Sequence, residues 1–359
     1  MATIVFAGGG TAGHIEPALA VARQWKAGHP DDVITFVGTK NGLENTIIPR
    51  AGFTLAHIPK VSIARKPQWS WLRAPIDLVR AVKSSKIILK DADLLIGFGG
   101  YVSAPAYVAA RIAGIPTLIH EANAKPGWAN RIGALMTPYL AVANPVHSRE
   151  FSDALITGLP LRSDVAEGFI DSRNDFKSAR ISAKQRLGFD KDSPLLFIMG
   201  GSQGSVAINA QVELALDSLL SRRISILHSV GRANPLPKAQ GAYHPVAYID
   251  AMADAYLASD LIIARSGAVT CSEFRALGRY ALFVPLPVGN GEQFFNARAL
   301  VESGRAEILE QSQFTAQYLT TNIDALLARS AVAPVDGSDQ DLSAAEKIVA
   351  LGEFAMAKK

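Results

Sequence analysis

The sequence predicts an α/β protein built from two similar domains in tandem, each a parallel sheet wound with helices. Three observations predict it. Short apolar runs alternate with helical patterns through the first half, the signature of βαβ units. An apolar run at residues 4–7 enters Gly8-Gly9-Gly10-Thr11-Ala12-Gly13-His14 and then a helix. The same opening recurs where residues 195–199 run into Gly200-Gly201-Ser202-Gln203-Gly204, which indicates a second domain of the same kind.

In chain order, residues 4–7 are the first strand and 17–26 a helix; 33–37 and 43–50 repeat that pair, and 94–96 and 117–119 are further strands. Gly158-Leu159-Pro160 breaks the pattern, as glycine and proline do between elements. A polar helical segment follows to Leu187, with Gly188 at a C′ position. The domain junction is placed here, giving residues 1–160 and 161–340. The second domain continues with a helix at 207–220 and strands at 225–228, 261–264 and 281–284; a glycine-rich turn at 289–293 precedes another helix, and 342–356 is amphipathic.

With 359 residues, 49% hydrophobic and 19% charged, each half can bury its own core. A net charge of +4 suits a phosphorylated substrate or an anionic membrane surface and gives no reason to expect nucleic acid. The single cysteine, Cys271, excludes an internal disulfide framework and a cysteine-based zinc site and points to a reducing cytoplasm; by itself it reads as a small buried hydrophobe. No apolar run reaches the roughly 18 residues of a membrane span, and Met1 leads into a strand without a signal-like segment, so neither a spanning nor an exported protein is expected.

Gly8, Gly10 and Gly13 match the dinucleotide fingerprint, which also needs an acid at the end of the second strand to hold ribose hydroxyls. That strand ends Val37-Gly38-Thr39, while Asp31 and Asp32 precede it. The alternatives are a ligand-free tight turn and a phosphate-facing turn whose N–H groups and helix end meet an anion. Gly200-x-Ser202-x-Gly204 matches the nucleophile elbow of α/β-hydrolases, but the last histidine is His244, and Glu213 and Asp217, the acids between, sit in the helix after Ser202. Ser202 therefore reads as a donor to phosphate oxygens. Asp91-Ala92-Asp93 resembles a metal-binding D-x-D, yet it precedes a strand, away from the carboxyl ends where ligands bind. His120-Glu121 lacks the second histidine of a zinc protease, and the histidine reads as orienting a loop.

His14 directly follows the glycine turn, where a neutral imidazole can take a proton from a substrate hydroxyl or merely cap its helix. Between Lys60 and Lys90, eight basic residues face one acid, Asp77, and Trp69 and Trp71 lie among them. Apolar anchors beside cations fit an anionic membrane surface, with ordinary amphipathic packing as the alternative. Residues 265–273 again run from a strand into a helix start, with Ser266 as a possible cap and Glu273 able to hold two vicinal hydroxyls.

Seven landmarks occur in order: Gly9-Gly10-Thr11-Ala12-Gly13-His14; Gly99-Gly100-Tyr101-Val102-Ser103; His120-Glu121-Ala122-Asn123; Gly200-Gly201-Ser202-Gln203-Gly204; Tyr248-Ile249-Asp250; Arg265-Ser266-Gly267-Ala268 with Ser272-Glu273; and Gln293 with Asn296-Ala297. Over almost the whole chain they resemble the membrane-associated transferases of peptidoglycan synthesis that add N-acetylglucosamine to lipid I, giving lipid II. The resemblance implies a GT-B architecture, two Rossmann-like domains facing a cleft, with the last helix, 341–359, packing back on the first. It implies UDP-N-acetylglucosamine mainly on the second domain. Ile249 would read the uracil, Glu273 hold the ribose, and Ser202 and Arg162 approach the diphosphate. Ala268, Val269, Thr270, Cys271 and Ser272 would pack against the nucleotide-sugar, and Gln293 and Asn123 contact the sugar. Thr11, Ala12 and Gly13 would border the sugar and the diphosphate of lipid I, the acceptor, with His14 as the base. No metal or other cofactor is implied, and the enzyme would sit peripherally on the anionic inner leaflet through residues 60–90.

Three positions depart from the family's commonest pattern: Ala12 for glycine, Gly158-Leu159-Pro160-Leu161-Arg162 for Gly-Asn-Pro-Val-Arg, and Glu292 for glutamine. A related protein that epimerises UDP-N-acetylglucosamine would not need the basic tryptophan segment, and a glycolipid carrier would not need the uridine-reading residues.

Overall fold

The computed structural model describes residues 1–61 and 74–358, which divide into two compact units: Met1–Leu161 together with the chain from Asp341 onward, and Arg162–Gln340.

The first unit holds strands β1 (Thr3–Gly8), β2 (Val33–Gly38), β3 (Thr54–His57), β4 (Leu94–Gly99), β5 (Thr117–Glu121), β6 (Tyr139–Val142) and β7 (Leu155–Ile156). They form a parallel sheet in the order β3-β2-β1-β4-β5-β6-β7. Helices α1 (Ala12–Gly28), α2 (Glu44–Arg50), α3 (Ala74–Ile88), α4 (Ser103–Ala113) and α5 (Trp128–Ala134) connect them. The chain leaves β1 toward β2 on one side and reaches β4 on the other, so the sheet reverses direction between β1 and β4, the place where open α/β sheets bind ligands. β1 from Ile4 onward and β4 throughout are apolar and buried because helices cover both faces.

The second unit begins with α6 (Ser163–Asn174) and α7 (Phe176–Arg186). Its elements continue as β8 (Leu195–Met199), α8 (Val206–Ser221), β9 (Ser225–Ser229), β10 (Tyr243–Val246), α9 (Met252–Ala258) and β11 (Leu261–Ala264). They end with α10 (Ala268–Leu277), β12 (Ala281–Phe283), α11 (Glu292–Glu302), β13 (Ala306–Ile308) and α12 (Ala316–Val332). Its parallel sheet runs β10-β9-β8-β11-β12-β13, with the same reversal between β8 and β11.

The final helix, α13 (Ala344–Ala357), packs on the first unit against α1. Gly352 lets it approach: a Cβ there would lie 2.8 Å from the ring of Trp25, which is fully buried and donates its indole N–H to Asp32 at 3.0 Å. Asp32 also accepts from the Ala2 N–H, and Asp93 from the Thr3 N–H at 2.9 Å. Both acids thus stitch the amino ends of strands, away from the ligand edge.

Two sequence expectations need correction. The polar stretch before Gly188 is two helices, because the Asp175 carboxylate accepts the Ser178 N–H and caps a fresh start. α1 begins at Ala12, one turn before the expected start, so Pro17 lies inside the helix and has no N–H to give the Gly13 carbonyl. Gly188 does take the left-handed conformation, with φ of 77°.

Candidate active site

In the first unit, the turn after β1 and the turn after β4 meet across the sheet reversal. Gly10 has φ of 93° and a Cβ there would fall 2.6 Å from the Tyr101 ring; one on Gly100, φ 86°, would fall 2.4 Å from the Gly9 carbonyl oxygen. Only glycine allows this contact. Thr11 is the N-cap of α1 but its side chain accepts no capping bond, so the first-turn N–H groups receive no help from it.

His14 lies in that first turn. Its Nδ1 is 3.2 Å from the Gly9 carbonyl and 3.3 Å from the Thr11 hydroxyl. A carbonyl only accepts, so Nδ1 carries the hydrogen and Nε2 keeps its lone pair. Burial lowers the pKa below the ordinary 6.5, against the opposing pull of the Glu121 charge and the Gly9 carbonyl. The imidazole is therefore neutral and basic at Nε2.

At the end of β5, Glu121 accepts the Asn123 N–H at 2.8 Å, the Asn123 side-chain amide at 3.0 Å, the Gly127 N–H at 3.0 Å and the Asn130 amide at 3.0 Å. It fixes the loop that presents Asn123. His120 donates from Nε2 to the Gly158 carbonyl at 2.9 Å, and burial pushes its pKa down to about 4. It is a neutral anchor for the junction segment, whose Leu159 N–H is held by Asp341 at 2.9 Å.

Sequence reasoning missed Glu44. It is fully buried at the start of α2 and gathers donors from three turns: the Gly10 N–H at 3.1 Å, the Thr39 N–H at 3.0 Å, the Thr39 hydroxyl at 3.3 Å and the Tyr101 hydroxyl at 2.9 Å. Burial pushes its pKa up, but these bonds outweigh that and leave it below the ordinary value. The available signal was the glycine pair around it: a Cβ on Gly42 would lie 2.0 Å from the carboxylate and one on Gly38 2.6 Å from its Cγ.

In the second unit, the Gly204 N–H bonds to the Gly201 carbonyl at 2.9 Å, which puts Ser202 at the tip of a tight turn. Ser205 caps α8, its Oγ accepting the Ile208 N–H at 3.3 Å. Arg265, buried at the end of β11, donates to that same Oγ at 2.8 Å, to the Val284 and Pro285 carbonyls at 2.8 and 2.9 Å, and to Gln311 at 2.6 Å. It clamps the glycine turn to β12.

Across the reversal, α10 starts after Gly267, whose extended backbone makes it the N-cap, so Ser266 falls one residue outside and is not the cap, contrary to the sequence expectation; it is buried, with its carbonyl accepting from Asn296 at 3.3 Å. Ala268, Val269 and Thr270 form the partly exposed first turn, with Cys271 and Ser272 buried behind. Burial pushes the Cys271 thiol far above its ordinary pKa, so it packs as a hydrophobe. Glu273 is 1% exposed; one oxygen accepts from the Tyr256 hydroxyl at 2.7 Å and the other lies 3.0 Å from Arg162 Nε. Two predicted residues thus meet directly, supported by Tyr256, which the sequence did not reveal. Ile249 lies on the loop leaving β10, and Gln293, in the first turn of α11, accepts the Leu286 N–H at 2.9 Å. Glu292 folds back on its own loop, accepting the Asn290 N–H at 3.3 Å.

Each unit thus places its predicted residues beyond the carboxyl ends of a doubly wound sheet, the first with a basic imidazole, the second with a helix start and a carboxylate–guanidinium pair. Two family models match, the glycosyltransferase family 28 N-terminal domain over residues 4–151 and the C-terminal domain over 195–350. The class is therefore that of a GT-B glycosyltransferase. Among curated relatives, the UDP-N-acetylglucosamine--N-acetylmuramyl-(pentapeptide) pyrophosphoryl-undecaprenol N-acetylglucosamine transferase of Corynebacterium glutamicum is 45% identical, covering 90% of this chain and 88% of its own. The enzyme of the same name from Rhodococcus erythropolis is 42% identical over 92% and 87%. A crystal structure of MurG from Acinetobacter baumannii superimposes with a TM-score of 0.68 at 27% identity, covering 99% of this chain and 100% of that one. The chain belongs to this family of N-acetylglucosamine transferases.

Proposed function

We propose that the protein transfers N-acetylglucosamine from UDP-N-acetylglucosamine to the C4 hydroxyl of the N-acetylmuramoyl sugar of lipid I, with inversion, giving lipid II. The observation that carries the reading is the 45% identity to a transferase of that name across nine-tenths of the chain. An epimerase or a carrier accounts for the fold but not for that relationship. Transfer of radiolabel from UDP-N-acetylglucosamine to a lipid I analogue tests donor and acceptor together; absence of lipid-linked product would remove the assignment.

In this reading the acceptor lies on the first unit and the nucleotide-sugar on the second. The acceptor O4 forms a bond to the anomeric carbon as the bond to the UDP oxygen breaks. His14 Nε2 takes the hydroxyl proton. The α8 helix start, Ser202 and Arg162 stabilise the charge that develops on UDP, as oriented donors at a departing anion do. Glu273 holds the ribose and, through its 3.0 Å contact, sets the angle of Arg162. Ile249 reads the uracil, and Asn123 and Gln293 contact the sugar; Thr11, Ala12 and Gly13 line the acceptor side, and Ala268 to Ser272 the donor side.

The enzyme works peripherally at the cytoplasmic face of the membrane. On α3, Ile76, Val79 and Ile87 are more than half exposed beside Arg80, Lys83 and Lys86, which supports a surface that meets anionic lipid. Trp69 and Trp71 fall outside the described residues. No helix among the described residues is long and apolar enough to cross a membrane. Liposome flotation of a Trp69→Ser, Trp71→Ser variant tests the contact; undiminished binding would sink it.

A further inference from the structure

One peptide group lies between two of the side chains described above. The Gly10 N–H donates to Glu44 Oε2 at 3.1 Å, and the Gly9 carbonyl of that same peptide accepts from His14 Nδ1 at 3.2 Å. Because N–H and C=O point oppositely across a trans peptide, the carboxylate and the imidazole sit on opposite sides of it, joined end to end.

We propose that Glu44 is a positioning residue for the transfer, acting on His14 through the Gly9–Gly10 peptide. This rests on His14 as the base. The argument begins with cost: a fully buried carboxylate is retained only with donors, and Glu44 draws four of them from the ends of β1, β2 and β4, beside its own backbone N–H. A negative charge on the N–H side polarises the peptide and makes the Gly9 oxygen a stronger acceptor, since hydrogen bonds in a chain reinforce one another. The stronger acceptor holds the hydrogen on Nδ1, leaves Nε2 as the proton-accepting nitrogen and favours the imidazolium formed during transfer. The Tyr101 hydroxyl and Thr39 keep the carboxylate oriented, and the Tyr101 ring against Gly10 keeps the peptide from rotating. The charge that acts on the imidazole directly is Glu121, which Glu44→Gln leaves chemically unaltered, so the change removes only what reaches His14 through the peptide.

The test is Glu44→Gln in the full-length enzyme, assayed with a lipid I analogue. The expected result is a ten- to hundredfold lower kcat, an unchanged dissociation constant for UDP, and an acid limb of kcat/KM moved to lower pH, because the imidazolium loses the remote negative charge. A kcat and an acid limb equal to those of the parent enzyme would overturn the proposal. A variant that fails to bind UDP reports misfolding, and the decision then passes to a second measurement on the unmodified protein: nitrogen-15 spectra of labelled histidine should show His14 as the Nδ1–H tautomer, and the Nε2–H tautomer would overturn it. A His14→Ala enzyme with full turnover would instead remove the base assignment, which separates that failure from this one.

Discussion

The two glycine turns share a backbone design and differ in the charge buried behind them. Behind Gly8–Gly10 stands the carboxylate of Glu44, already bonded to the Gly10 N–H; behind Gly200–Gly204 stands the guanidinium of Arg265, bonded to the Ser205 cap. A unit charge about 4 Å from another is worth on the order of 4 kcal/mol near a protein surface. Strand, glycines and helix therefore do not fix what a turn binds. The first turn has spent one donor on an internal anion and is suited to holding a base, whereas the second keeps a cation nearby and is suited to a departing diphosphate.

The largest effect expected from testing that division is at His14. His14→Ala should lower kcat by roughly 10²–10⁴-fold, the usual contribution of a positioned base, with UDP affinity unchanged in calorimetry because the proposed nucleotide contacts are on the other unit. In the unaltered enzyme the base works only when neutral, so kcat/KM should fall as pH drops through the His14 pKa. Burial lowers that pKa from 6.5, which puts the acid limb below 6.5. A limb above 6.5, or an undiminished variant, would break the assignment of the first turn to proton removal.

Arg265→Met examines the opposite charge. It leaves the Val284 and Pro285 carbonyls and the Gln311 oxygen without their buried donor, at a cost of about 1–3 kcal/mol for each such group that water does not reach. Urea unfolding should show a loss of roughly 3 kcal/mol, and UDP should bind more weakly as the turn loosens. Stability lost with UDP affinity intact would mean that the clamp serves the sheet alone.

Glu273→Ala should weaken UDP-sugar binding by about 1–3 kcal/mol, the worth of a charged hydrogen bond, with calorimetry as the measure. Because the change also removes the carboxylate 3.0 Å from Arg162 Nε, leaving Asp164 at 3.8 Å, kcat should fall beyond what affinity explains. Equal UDP affinity in variant and parent would count against Glu273 as the ribose contact.

The central strands were legible in the sequence because burial on both faces demands unbroken apolar runs, as in β8 and β11. The edges were not: β7 is two exposed residues, and β10 contains Pro245, which an edge strand tolerates because its N–H side needs no partner. The glycine turns were visible because positive φ restricts residue type, and His14 because it directly follows the first of them. Glu44 lacked such a mark, and Arg265, though part of a landmark, gave no sign of its clamp, since both roles depend on donors and acceptors brought from Tyr101, Thr39, Val284 and Gln311 by the fold. A residue whose partners are distant in sequence shows no local periodicity or spacing.

The smallest expected effect separates the two helix starts themselves. Ser205 caps α8 by accepting the Ile208 N–H, whereas Thr11, at the same place before α1, accepts no capping bond. Ser205→Ala should therefore cost about 1 kcal/mol from the lost cap, plus the worth of the bond from Arg265. Thr11→Ala should change stability by a few tenths at most, since no capping bond is lost, and its effect should instead appear in turnover, through its 3.3 Å contact with His14 Nδ1. Equal stability losses at the two positions would mean that Thr11 caps α1 in solution. The first turn would then resemble the second more closely than its hydrogen bonds indicate, and the division of labour would rest on the buried charges alone.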